Sequence, residues 1–177
     1  SGKYREGFEK IKKLKEGLAS EIKALPAGPA RDAFLEMVPQ LAQVTEEVHQ
    51  LAIQGQKLER TLKGGTTAEL EKEAVQLEKK LAGTTDSQAR SQLEEALAKK
   101  RQALEHWSGA GRSIDRIEAQ REAVAAALQE ALARVGALAA SAGSGEADDG
   151  MRQAVEGISR EVKFLSESVE ETSQLLK

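Results

Sequence analysis

Glu46-Glu47-Val48-His49 contains the one Glu-x-x-His spacing in the chain. On a helix, residues three apart share a face. Two such copies with two further carboxylates build a di-metal centre inside a four-helix bundle. Here the second copy is missing, because Ala103 stands three residues before His106. A single Glu-His pair is not a ligand set. Glu46 and His49 are therefore expected on a solvated helix face, where replacing either by alanine is nearly neutral. With two histidines, no Ser-His-Asp arrangement is legible, and the absence of cysteine removes disulfides, thiolate metal sites and thiol nucleophiles together. Asp149-Gly150 and Glu156 match the end of a calcium-binding loop, but its first and third ligand positions hold Gly145 and Ala147. The expectation there is an acidic linker whose Asp148 or Asp149 caps the next helix. Gly109-Ala110-Gly111 lacks both the lysine-serine ending and the preceding strand of a phosphate loop. It predicts a bend, or a close approach by a neighbouring helix. No catalytic residue, metal ligand or cofactor site is predicted, and the chain reads as a non-enzyme.

One charged cluster needs separate treatment. Lys10, Lys12, Lys13 and Lys15 make the first helix locally basic, which could serve an anionic membrane surface. Glu6, Glu9, Glu16 and Glu21 interleave with them, however, and a single apolar stripe cannot serve both a membrane and a bundle core. A solvated bundle face is the expected role. A net charge of −3 and the lack of aromatic interleaving argue against nucleic acid.

These residues sit on a helical apolar pattern that runs the length of the chain. Met151, Val155, Ile158, Val162, Leu165, Val169, Thr172 and Leu176 alternate steps of four and three, a seam that needs a partner helix. A first helix is predicted over Lys3–Leu25, ended by Pro26-Ala27-Gly28-Pro29. A second spans Ala30–Lys63, with a kink or restart at Pro39 and a C-cap at Gly64-Gly65. A third covers Thr67–Leu81, opened by a Thr66/Glu69 capping box. Thr85 with Gln88 forms a second box that opens a long fourth helix, Asp86 to Ala140, roughly 80 Å if unbroken. Ser141–Gly150 is expected as a mobile loop before a fifth helix that ends near Leu176.

Composition agrees with this pattern. Hydrophobic residues make up 40% and charged residues 31%, which suits a folded chain, while 3% aromatics fits the thin aliphatic core of packed helices. The fold class is all-α. An elongated bundle of about five helices is expected, with a four-helix core at 1–63 and 108–177 and a protruding antiparallel coiled-coil hairpin at 64–107. No apolar run of roughly 20 residues and no signal peptide is legible. The chain opens on Ser1-Gly2 rather than methionine, which predicts a fragment of a longer protein, with room for an anchor before Lys3. A cytoplasmic site is favoured over a periplasmic one, although composition fixes neither.

The stretch Asp86-Ser87-Gln88-Ala89-Arg90, followed by Leu93, Ala96, Leu97, Lys100, Arg101 and Leu104, resembles the long-helix hairpins of poorly characterised bacterial proteins. The resemblance implies an accessory coiled-coil module beside a membrane or another domain, and it carries no site residue with it. A two-helix hairpin covers only one side of each seam. Leu70, Leu77, Leu93, Leu97 and Trp107 are therefore the expected interaction surface, for another protein or a second copy of the chain. The expected function is a non-catalytic interaction, scaffold or assembly module. The alternative is a sensory or signal-relaying helical domain of a larger membrane-associated protein.

Overall fold

The computed structural model describes residues 2–63, 67–141 and 147–174. Of these, 95% are helical and none is in a strand. Five helices follow one another: α1 (Gly2–Ala24), α2 (Pro29–Leu62), α3 (Thr67–Gly83), α4 (Ser87–Ser141) and α5 (Ala147–Gln174).

Local chemistry explains the boundaries. The last turn of α1 tightens where the Leu25 N–H donates to the Ile22 carbonyl at 3.3 Å. Pro29 occupies the first position of α2, where its missing N–H costs nothing, and the Gly28 carbonyl accepts the first helical bond, from Asp32. Pro39 neither stops nor restarts α2, which stays one helix across it. The proline side chain is exposed, so the Leu35 carbonyl that it leaves without a helical donor lies on the wetter side. At the start of α4 the cap is Asp86 and not Thr85. The Asp86 Oδ1 accepts from the Ala89 N–H at 2.7 Å, and its carbonyl accepts from Arg90.

Helix α4 is one helix through Gly109-Ala110-Gly111, and the expected close approach of a neighbour at these glycines is corrected. A Cβ built on Gly111 meets nothing within 4 Å, and one on Gly109 meets only Arg112, at 4.0 Å. The expected 141–150 loop is shorter than its composition suggests. Helix α5 begins at Ala147, so Asp148 and Asp149 lie inside it. Gly64-Gly65, Thr66, Gly145 and Leu176 fall outside the described residues. Helix α4 also holds an 18-residue window of mean hydropathy 1.3, which meets the length and composition of a membrane span although 28% of it is buried. The stretch 123–140 is built largely of alanine, which raises hydropathy without the long apolar runs that mark most spans.

The chain divides into two compact units, unit 1 (1–54 and 116–177) and unit 2 (55–115). Unit 1 owns nearly all of the core. Its α1 buries Tyr4, Ile11, Leu18, Ile22 and Leu25, and α2 contributes Phe34, Leu41, Val44, Val48 and Leu51. Ile117, Val124, Leu128, Ala131 and Val135 come from α4, and Ile158, Val162, Leu165 and Val169 from α5. The apolar face of α1 is thus committed to this core, and Lys10, Lys12 and Lys13 lie on its exposed side. At Gly17 α1 faces α4, where a Cβ would make ordinary contact with Leu132 at 3.6 Å. A polar contact crosses the same core: the Ser168 hydroxyl of α5 donates to Gln120 Oε1 of α4 at 3.0 Å.

Candidate functional site

Glu46 and His49 do not come together. The Glu46 carboxylate accepts instead from Gln50 Nε2 at 2.8 Å, one turn along α2. His49 is half-buried, its ring 4.2 Å from that of Phe8 on α1, and its Nδ1 is buried without a hydrogen-bond partner. The expectation of a solvated face therefore holds for Glu46 and fails for His49. His49 is a packing residue between α1 and α2. Among the described residues, no group of three or more histidine or acidic side chains gathers where it could hold a metal. The calcium-loop reading also loses its loop, since Ala147, Asp149 and Gly150 are helical.

Apolar surface stays in reach of solvent in both units: in unit 1 Phe164 of α5 is 68% exposed, and in unit 2 the half-covered side chains outnumber the buried ones. Among the described residues of unit 2, Ala74 and Leu97 are the buried apolar side chains. Leu70, Leu77, Leu93 and Trp107 are half-buried, as are Leu58, Leu62, Leu81 and Leu104, and Val75 is 48% exposed. The seam spacing groups Leu97 with the residues expected to stay accessible. At 6% exposure it belongs instead to the small core of the unit, with Ala74. Val75 has no place in a four-three count from Leu70 to Leu81, which is why the spacing passes over it.

Two ion pairs tie α3 to α4. Lys100 pairs with Glu73, and Arg101 Nη2 lies 2.7 Å from Glu78 Oε1. Both pairs are well exposed, so they orient the helices more than they stabilise them. Beside them runs an open groove of about 470 Å³. One wall is Glu78, Leu81 and Ala82 of α3, and the other is Arg90, Glu94, Leu97, Ala98 and Arg101 of α4. Its floor is aliphatic and its rim carries both signs of charge. Arg90 Nε lies 3.2 Å from Glu94 Oε1 on the same helix. On the neighbouring face of α4, Lys99 holds the Glu95 carboxyl below the usual range by a hydrogen bond and by its charge.

The groove lining contains no histidine and no hydroxyl side chain, and its two carboxylates, Glu78 and Glu94, stand on opposite walls. A second cleft, of about 350 Å³, lies between α1 and α4 in unit 1 and includes Lys10, Arg121 and Glu122. Arg121 fills part of it, stacked 5.7 Å from the centre of the Tyr4 ring and close over Gly7. No protein-family model, curated protein or solved structure matches this chain.

Proposed function

We propose that the chain is a non-catalytic helical interaction or assembly module that acts by burying helix seams against a partner. In this reading α1, the first part of α2, the second part of α4 and α5 form a four-helix bundle. The three-residue connection between α3 and α4 makes them an antiparallel hairpin that offers the interaction surface. One observation carries the reading: unit 2 spans 55–115 yet fully buries only Ala74 and Leu97 among its described apolar side chains. Half-covered leucines at this density are characteristic of surfaces that meet another helix. Photo-crosslinking in the cells that express the protein tests it. A photoreactive residue at Val75 or Leu93 should give discrete adducts, and one at the exposed Gln153 should not. No adduct from either unit 2 position sinks the proposal.

A second reading, a signal-relaying helical domain of a membrane-associated protein, draws on a different observation. Helices α2 and α4 each contribute residues to both units. The gene sequence flanking this chain tests it, since the relay needs an adjoining transmembrane segment.

A further inference from the structure

The charge order along α4 points to the occupant of the groove. About the midpoint between Leu97 and Ala98, each charge on the groove side has its opposite at the same distance. Arg90 mirrors Glu105, and Glu94 mirrors Arg101. Arg90, Glu94, Ala98, Arg101 and Glu105 are separated by steps of three and four, so they share one helical face. Four of these five line the groove.

A helix with this order is complementary to its own reverse. We infer that the groove takes a second copy of the chain, with the two α4 segments antiparallel about a two-fold axis at Leu97–Ala98. This rests on the reading of unit 2 as an interaction surface. In that pairing Glu94 of each copy meets Arg101 of the other, Arg90 meets Glu105, and the two Ala98 side chains stand at the centre. A parallel pairing would set like charges against each other. The two-fold arrangement makes the contact isologous and closed, so it stops at a dimer. Ala98 is small and exposed, which lets the backbones approach, and Leu81 and Ala82 of α3 extend the apolar floor. The in-chain pairs Arg90–Glu94 and Glu78–Arg101 have side chains 46–64% exposed and can be shared with a partner at little cost. The paired segment, Arg90 to Glu105, is about 22 Å long.

Sedimentation equilibrium on the whole chain tests this, with circular dichroism to confirm that each variant stays helical. The unmodified chain is expected to dimerise, less tightly as salt rises. Arg101→Glu sets two glutamates against each other twice over and should raise the dimer Kd at least about tenfold. Glu94→Arg combined with Arg101→Glu restores opposite charges between identical copies. It should recover dimerisation and yet fail to form mixed dimers with the unmodified chain. Ala98→Lys, at an exposed position with no in-chain ion pair to lose, should also yield monomers. An unmodified chain that stays monomeric at high micromolar concentration overturns the inference, as does an Ala98→Lys variant that dimerises normally. Free mixing of the double variant with the unmodified chain overturns it too. Monomers that still give crosslinks from Val75 and Leu93 to another protein leave the interaction reading standing and remove only the self-pairing.

Discussion

His49 shows how much one neighbour changes a residue's meaning. Its ring packs on Phe8, so His49→Ala removes an aromatic contact between α1 and α2 and should cost about 1 kcal/mol. Glu46→Ala loses only an exposed hydrogen bond to Gln50 and should stay within about 0.5 kcal/mol. Urea denaturation of the two variants separates them, and equal midpoints would contradict the packing role. Glu161 gives a pH-dependent counterpart. Partial burial pushes its carboxyl above the usual range, the nearby Glu130 adds to this, and Arg134 opposes it. An acid whose folded-state pKa is raised favours the folded state while protonated, and that advantage is lost as pH rises through its folded pKa. Glu161→Gln should therefore match the parent in acid and become the more stable of the two towards neutrality. Denaturation midpoints at both pH values check the sign.

Among the elements, the start of α4 has the sharpest test. Asp86→Ala removes the side-chain acceptor at the helix N-terminus and should cost about 1 kcal/mol, whereas Thr85→Ala should change little. Faster hydrogen exchange at the Ala89 amide in the first variant alone is the expected signature. The capping-box spacing places this cap one residue early, because it looks for the Thr85/Gln88 pair, whereas the Asp86 carboxylate caps the helix alone. The helices themselves were legible in the sequence, because a 3.6-residue period read from Ile11, Leu18 and Ile22 or from Ile158, Val162 and Leu165 reports one buried face directly. Two kinds of feature were not. Glycine at 109 and 111 lowers helix propensity by about 1 kcal/mol each, yet the flanking turns carry α4 through. The groove needs α3 and α4 side by side, and no local pattern states which residues will share a wall. Val75 and the burial of His49 depend likewise on neighbours distant in sequence.

At the scale of the molecule, the two units have unequal cores. Leu128 is 2% exposed in unit 1, and Leu128→Ala should leave a cavity costing about 2–5 kcal/mol. Amides of α3, which buries only Ala74 among its described residues, should exchange faster in the native state than those in the middle of α1 or α5. Uniform protection across all helices would show one cooperative block instead. The chain has one tyrosine and one tryptophan. Tyr4 lies in the core of unit 1 and Trp107, half-buried, in unit 2. Unit 2 thus carries its own optical label. Indole emission, excited at the red edge where phenol does not absorb, follows unit 2 without any dye or mutation, and far-ultraviolet ellipticity sums the two units. Melting the unmodified chain while recording both signals reads unit 2 against the whole in one cuvette.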